Sequence, residues 1–179
     1  MLFVGSLFQR RRLDVVIDAF ARVAAARPDA RLEIVGANRT TPHVDFAAAI
    51  DAHGLGHRAR LRDWVDDVTL AGLYRDAAVF VFLSRYEGFG LTPLEAMAHG
   101  LVPVVLDTAV AREVYGDAAW RVGDQPELTA GVATAIGTLL DDDAVAARYR
   151  AAAPRVLASY QWAETARRVL ACLREAAGA

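Results

Sequence analysis

Short apolar runs alternate with amphipathic stretches along this chain from end to end. The runs are rich in Val, Leu, Ile and Phe and have the length of buried strands, which we predict at residues 2–5, 32–36, 59–62, 78–83, 102–106 and 119–122. Continuous apolar character of this kind is typical of parallel strands that are covered on both faces. Because helical stretches separate the runs, we predict an α/β fold with a doubly wound parallel sheet.

The stretches between the runs carry their apolar residues at the spacing of a helix. The first of them, RRLDVVIDAFARVAAARP, has the i, i+3, i+4, i+7 stripe of an amphipathic helix, formed by Leu13, Val16, Ile17, Phe20 and Val23. Helices are also predicted at residues 43–56 and 66–77, and in three segments toward the end of the chain that break near 141–143 and 154–161. No internal repeat or linker interrupts this pattern, which indicates a single domain.

The composition is that of a folded protein, with 55% hydrophobic and 23% charged residues among 179. A net charge of −2 provides no basic field, so we predict no nucleic-acid partner. No apolar run reaches the roughly 18 residues of a membrane-spanning helix, and the first residues lack the pattern of a signal peptide. A cytoplasmic location is therefore expected.

Cys172 is the only cysteine, which excludes an internal disulfide, and we expect it to pack as a small apolar residue.

The loop after the fourth predicted strand is unusually rich in glycine and glutamate. It reads SRYEGFG and leads into LTPLEAMAHG, where a helix ends at Gly100. In doubly wound sheets, ligands bind at the carboxyl ends of the strands, which is where this loop lies. One interpretation of the second stretch is local: Thr92 is the N-cap, Pro93 is the first helical residue, and Glu95 completes a capping box.

A second interpretation of the same loop is a binding site for a diphosphate. Gly88 and Gly90 would let backbone amides approach a ligand closely, and the N-terminus of the following helix attracts negative charge. Glu95 would then accept hydrogen bonds from the hydroxyl groups of a ribose, and Glu87 would do the same for a sugar. Since one carboxylate cannot serve both the cap and the ribose, the sequence leaves the role of Glu95 open between them.

The stretch E-G-F-G-L-x-x-L-E-A-M-A-x-G, in which seven residues separate Glu87 from Glu95, resembles the E-x7-E signature of retaining glycosyltransferases of family 4. The likeness extends over essentially the whole chain, through FVGSLFQRR, PDARLEIVG, LAGLYRDAAVFVFLS, LVPVVLDTAVAREVYGDAA and QWAETARRVL in the family's order. It implies that residues 1–179 form the Rossmann-like C-terminal half of a GT-B fold. Such a half binds a nucleotide-sugar donor and needs no other cofactor and no metal.

The resemblance implies roles for individual residues of this loop. Glu95 would hold the donor ribose, and Glu87, as a catalytic residue, would contact the transferred sugar. The rest of the loop would surround the sugar and the diphosphate with backbone groups of Gly88, Phe89, Gly90, Leu91 and Thr92.

The loop after the first strand would supply positive charge to the diphosphate. The family usually has Arg directly after the glycine and Lys a few residues later, whereas here Ser6 follows Gly5 and Arg11 occupies the lysine position. Arg11 is the second implied catalytic residue. Arg10 and Arg12 flank it, and a guanidinium also neutralises a diphosphate. Which of the three arginines faces the phosphates stays open, as does the alternative that they form a solvated start of the following helix.

The loop after the third strand provides further candidates. Trp64 or Val65 would lie against the nucleobase, although Trp64 is also explained as an aromatic residue that packs in the protein. The acidic residues nearby do not predict a metal site, because carboxylates at the start of a helix account for Asp63, Asp66 and Asp67.

A GT-B enzyme builds its active site between two halves, so the resemblance implies an N-terminal acceptor domain that this chain lacks. The chain would then bind the donor, transfer nothing by itself, and associate with a membrane only through the missing half. We expect the last helix, at residues 161–177, to pack toward that domain. Its apolar side chains would then lie exposed here, namely Trp162, Val169, Leu170 and Leu173.

Two other functions compete with this one. A nicotinamide-dependent oxidoreductase has the same kind of sheet, but it needs G-x-G-x-x-G after the first strand, and VGSLFQR does not provide that motif. A non-catalytic nucleotide-binding or interaction module with a Rossmann-like fold is the alternative that the sequence leaves open.

Overall fold

The computed structural model describes residues 1–178, and all six predicted strands are present in it. They are β1 (Leu2–Val4), β2 (Leu32–Val35), β3 (Ala59–Arg62), β4 (Val79–Phe82), β5 (Val102–Leu106) and β6 (Trp120–Val122). The strands form one sheet in the order β3-β2-β1-β4-β5-β6, and every neighbouring pair is parallel. The predicted doubly wound sheet is therefore confirmed.

Helices separate the strands and form the end of the described chain. They are α1 (Leu13–Ala26), α2 (Phe46–Ala52), α3 (Asp67–Asp76), α4 (Leu91–Ala98), α5 (Ala109–Tyr115), α6 (Leu128–Asp141), α7 (Asp143–Ala158) and α8 (Trp162–Ala177). Every residue of β4 and β5 is buried, which shows that helices cover both faces at the centre of the sheet. The predicted apolar stripe of α1 is also buried, and it packs against α6. Burial of each such side chain stabilises the fold by about 1.5–3 kcal/mol.

Acidic residues cap two helices, and the sequence predicts this position at a helix start for Asp66. Asp66 precedes α3 and accepts a hydrogen bond from the amide of Thr69 at 2.7 Å, and this bond lowers the pKa of the Asp66 carboxyl below its ordinary value. Asp142 lies between α6 and α7 and accepts hydrogen bonds at 3.0 Å from the amides of Ala144 and Val145. These caps account for the helix break near 141–143.

Helix α4 begins earlier than the capping-box pattern predicts. Its N-cap is Gly90, whose φ of 82° and ψ of 76° lie in the left-handed region, and within the described part of the chain no side chain caps this helix. Thr92 and Pro93 therefore lie inside the first turn, and the predicted capping box of Thr92 with Glu95 is wrong. The end of the helix is as predicted. Gly100 has a φ of 79°, and its amide and the next one bond back to carbonyls of the last turn.

Helix α8 adds no buried side chain to the core over residues 162–177. The exposed fractions are 85% for Trp162, 53% for Val169, 47% for Leu170 and 62% for Leu173, so their predicted exposure is confirmed. Cys172 is exposed as well, and the prediction that it packs is wrong because no other element among residues 1–178 covers this helix. Among the helices of residues 1–178, none combines the length and the apolar character needed to cross a bilayer.

The strand order places a crevice at the middle of the sheet. From β1, the chain first moves outward through β2 and β3 and then returns to β4 on the opposite side of β1. At such a switch point the loops that leave two adjacent strands diverge, and a crevice opens between them. The loop of residues 5–12 leaves β1, and the loop of residues 83–90 leaves β4. Both candidate loops of the sequence therefore border the same crevice.

Candidate functional site

The loop after β1 holds the side chain of Arg11 at the crevice. Gly5 has a φ of 139°, and a Cβ atom at this position would lie 2.5 Å from Nη1 of Arg11. Nη1 donates a hydrogen bond to the carbonyl oxygen of Ser6 at 3.0 Å. The guanidinium also lies 5.0 Å from the centre of the Phe82 ring in β4. Glycine is thus needed at position 5 both for its backbone conformation and for the space that Arg11 occupies.

An ion pair between Arg11 and Glu87 joins the two loops. Nε of Arg11 donates to Oε1 of Glu87 at 2.9 Å, and the hydroxyl of Ser84 donates to the same oxygen at 2.8 Å. The side chains of Arg11 and Glu87 are only 14% and 15% exposed, so water screens this pair less than a surface pair. Over residues 1–178, no hydrogen bond reaches Oε2 of Glu87. That oxygen is left to accept hydrogen bonds from a ligand.

Arg10 and Arg12 do not take part in this ion pair, and only Arg10 bonds across to the loop after β4. Nε of Arg10 donates to the carbonyl oxygen of Tyr86 at 3.0 Å. Arg12 is the N-cap of α1, with a left-handed φ of 49°, and its Nε donates to Asp14 of that helix at 3.3 Å, while Asp124 lies 3.7 Å away. Arg12 therefore does form the start of α1, whereas Arg10 and Arg11 lie in a short 3-10 helix before it. The structure thus distinguishes them, because Arg11 alone pairs with Glu87 at the crevice.

The loop after β4 presents a row of backbone amides without partners. Within the described part of the chain, none of the amides of residues 88–92 donates a hydrogen bond. The row begins directly after Glu87 and continues into the N-terminus of α4, where the helix dipole adds positive potential. Backbone donors next to a guanidinium have the chemistry that binds a phosphate group.

Tyr115, at the end of α5, fixes the left-handed turn of this loop. Its hydroxyl donates to the carbonyl oxygen of Gly90 at 2.9 Å, and a Cβ atom at Gly90 would overlap that hydroxyl. Burial, with the carboxylate of Glu87 nearby, raises the pKa of Tyr115 above its ordinary value, so the hydroxyl keeps its proton. Phe89 packs edge-on against Tyr160, with the ring centres 5.1 Å apart. These contacts hold the loop while its amides stay unpaired.

Gly88 has no structural reason to be glycine. Among the 13 glycines, it alone combines a φ outside the left-handed region with empty space around the position of a Cβ atom. The folded chain would therefore accept a side chain at this position. A ligand that approaches the backbone closely would not.

Glu95 has its partner on a neighbouring helix. The hydroxyl of Tyr74 in α3 donates to Oε2 of Glu95 at 3.0 Å. Glu95 lies at the surface, one turn into α4, and its Oε1 has no hydrogen bond within residues 1–178. The carboxylate is therefore neither part of a cap nor turned into the protein.

Trp64 and Val65 lie apart from the two paired loops. They follow β3, which is separated from β1 by β2. Trp64 is 78% exposed, so the interpretation of Trp64 as a packing aromatic is wrong, whereas Val65 packs partly against the core.

The sequence did not point to Tyr74 or Tyr115, the tyrosines that hold the predicted site residues. No motif marks them, because their contacts form between elements that are distant in the sequence.

The chain matches a known protein family over most of its length. The family model described as glycosyl transferases group 1 covers residues 1–142. The chain therefore belongs to the glycosyl transferases group 1 family. Phosphatidyl-myo-inositol mannosyltransferase of Mycobacterium tuberculosis is 30% identical to it in an alignment that covers 99% of this chain and 47% of that protein.

Solved structures share the fold. The pneumococcal O-GlcNAc transferase GtfA, in complex with UDP and GlcNAc, superposes with a TM-score of 0.81 and 17% identity over 97% of this chain and 35% of that chain. Sucrose-phosphate synthase from Thermosynechococcus elongatus gives a TM-score of 0.79 and 25% identity over 99% of this chain and 45% of that chain. The fold is that of the C-terminal domain of GT-B glycosyltransferases. The chain spans about a quarter to a half of the length of the curated relatives it matches.

Proposed function

We propose that this chain is the donor-binding half of a retaining glycosyltransferase of family 4. It binds a nucleotide-diphosphate sugar, from which the sugar is transferred to an acceptor with retention of configuration. One observation carries the proposal: the Arg11–Glu87 pair lies at the switch point of the sheet, next to the unpaired amides of residues 88–92. Membership in the glycosyl transferases group 1 family supports it.

The positive charge of the site stabilises the departing diphosphate. The Arg11 guanidinium and the amides of Leu91 and Thr92 receive the phosphate oxygens, which gain charge as the bond to the sugar breaks. Gly5 leaves room for Arg11, and the carbonyl of Ser6 orients it. Arg10 ties the two loops together through the carbonyl of Tyr86, and Arg12 adds positive charge beside Arg11. Trp64 and Val65 lie on the side of the nucleobase.

The carboxylates hold the two sugars of the donor. Oε2 of Glu87 accepts hydrogen bonds from the transferred sugar, with backbone groups of Gly88, Phe89 and Gly90 around it. Oε1 of Glu95 accepts from the ribose. The bond from the anomeric carbon to the diphosphate breaks, the acceptor oxygen bonds to the same face of that carbon, and the proton of the acceptor hydroxyl passes to an oxygen of the departing diphosphate. No metal and no further cofactor takes part in this scheme.

An N-terminal domain supplies the acceptor site in this proposal. Helix α8 packs toward that domain through its exposed apolar face, and any contact with a membrane occurs through the same domain. The protein acts in the cytoplasm in this proposal. The purified chain alone binds the donor and transfers no sugar. The share of the curated relatives that the chain spans, 47% for the mycobacterial mannosyltransferase, supports this division.

Calorimetric titration with UDP, GDP and ADP tests the proposal. At least one of the three binds, and the matching nucleoside, which lacks the diphosphate, binds at least 10-fold more weakly. Arg11→Ala and Glu95→Ala each weaken the binding, whereas Arg22→Ala on α1, the same change away from the crevice, does not. An interaction module without a nucleotide site would bind none of the three nucleotides, and that result would overturn the proposal.

A further inference from the structure

Tyr74 is a buried tyrosine whose hydroxyl reaches a single acceptor. The residue is 3% exposed, and its ring lies 5.9 Å from the ring of Phe80. On its other side the ring stacks on His99, with the ring centres 5.0 Å apart and the planes inclined by 2°. Within the described chain, Oε2 of Glu95 is the only hydrogen-bond partner of the hydroxyl. The aromatic neighbours thus fix the direction in which this O–H group points.

Glu95 has no other interaction that would hold its side chain. It lies at the surface, and over residues 1–178 it forms no ion pair with any Arg, Lys or His. An exposed glutamate samples several rotamers in water, and a ligand that needs one of them must restrict it on binding. The bond from Tyr74 makes that restriction in advance, because it anchors Oε2 and leaves Oε1 to face the solvent.

The Tyr74 hydroxyl is a dependable donor. Burial, followed by the negative charge of Glu95 and the hydrogen bond to it, raises the pKa of Tyr74 well above its ordinary value. The hydroxyl therefore keeps its proton at every pH at which the protein would be assayed. A charged acceptor also makes this hydrogen bond stronger than one between neutral groups.

We propose that Tyr74 is a positioning residue that orients Glu95 toward the ribose of the donor and so sets a preference for nucleotides with vicinal ribose hydroxyls. This inference rests on the proposed function, since it assumes that Glu95 binds the ribose. The preference for ribose hydroxyls then depends on two residues that lie on different helices. Tyr74 on α3 holds one oxygen of the carboxylate, and the other oxygen accepts from the sugar.

Tyr74→Phe tests this role, because phenylalanine keeps the buried ring and removes only the hydroxyl. Calorimetry compares whichever of UDP, GDP and ADP binds best with its 2′,3′-dideoxy counterpart. The unaltered chain prefers the ribose form by about 10-fold or more. Tyr74→Phe lowers this preference about 5-fold and leaves the affinity for the dideoxy form within twofold of its original value. Should Tyr74→Phe not fold, Tyr74→Met takes its place, since it also fills the site without a hydroxyl.

Two controls separate positioning from a structural effect. Tyr149→Phe on α7 makes the same chemical change away from the crevice and leaves both affinities unchanged. In a Glu95→Gln background, which already has a reduced preference, Tyr74→Phe has less than half of its original effect. Equal weakening of both ligands by Tyr74→Phe, or an unchanged preference, would overturn the positioning role while the proposed function stands. A chain that binds none of the nucleotides would overturn both.

Discussion

The ion pair between Arg11 and Glu87 is the interaction on which the geometry of the site depends most. It connects loops that leave adjacent strands, and both side chains are largely shielded from solvent. A charge in such a place is costly when its partner is removed, because the remaining group is neither paired nor fully hydrated. Removal of either partner is therefore expected to destabilise the fold, and the pair holds the two loops of the site together.

A double-mutant cycle measures this coupling. Arg11→Met and Glu87→Gln are each expected to destabilise the chain by about 1–3 kcal/mol, since each leaves a polar partner unsatisfied. The double variant should cost less than the sum by about 1 kcal/mol or more. Urea unfolding of the four proteins gives these free energies. Strict additivity would show that the two side chains do not interact in solution.

The two glycines of the loop are predicted to respond differently to alanine. Gly90→Ala places a methyl group on the Tyr115 hydroxyl at a left-handed position and should destabilise the chain by about 1–3 kcal/mol. Gly88→Ala meets no atom and should leave the free energy of unfolding within about 1 kcal/mol. It should nevertheless reduce nucleoside-diphosphate affinity at least 10-fold, by keeping the phosphates away from the backbone. Unchanged affinity in Gly88→Ala would argue against a ligand at these amides.

The sequence points to the residues of the candidate site but not to their partners in the fold. Arg11 and Glu87 are 76 residues apart, and Tyr74 and Glu95 are 21 apart, so no local pattern could pair them. The T-x-x-E pattern misled for a related reason. The left-handed turn at Gly90 starts the helix earlier than Thr92, and Glu95 bonds instead to a residue of another helix.

At the scale of elements, the two ends of the chain differ in how they are stabilised. The strands and α1 to α7 bury their apolar faces against one another, whereas α8 presents its apolar face to solvent. Isolated helices of this length gain little stability from the backbone alone. The apolar face of α8 therefore adds little to the stability of this chain.

Two leucines test that difference with the same substitution. Leu139 in α6 is 5% exposed, and Leu139→Ala should cost about 2–5 kcal/mol because it leaves a cavity. Leu173 in α8 is 62% exposed, and Leu173→Ala should change the free energy of unfolding by no more than about 0.5 kcal/mol. Urea titration followed by circular dichroism measures both. A cost at Leu173 similar to that at Leu139 would mean that something in solution covers α8, such as a second copy of the chain.

The strands could be predicted because buried positions carry apolar residues in the sequence. Strands covered on both faces read as unbroken apolar runs, and β4 and β5 have no exposed position at all. Helix α8 is different. Its stripe of apolar residues predicts an amphipathic helix, but the stripe alone does not say which other element, if any, packs against it. The exposure of Cys172 could therefore not be predicted.

At the scale of the whole molecule, the positive groups of the candidate site are concentrated at one place. The net charge is only −2, yet Arg10, Arg11 and Arg12 and the amides of residues 88–92 lie around one crevice of the sheet. Such a local arrangement suits a small anionic ligand rather than an extended polyanion. We therefore expect that affinity for the nucleotide falls with ionic strength, while nucleic acid is not retained. Titration in increasing sodium chloride measures the first of these.

The central claim is that the amides of residues 88–92 and Arg11 receive a diphosphate, and an amide NMR titration tests it most directly. Addition of the best-binding nucleoside diphosphate should shift the resonances of Gly88 to Thr92, and the corresponding nucleoside should leave them nearly unchanged. Arg11→Ala should reduce the diphosphate shifts at the same ligand concentration. Shifts confined to other parts of the sheet, or equal shifts with nucleoside and diphosphate, would contradict the account.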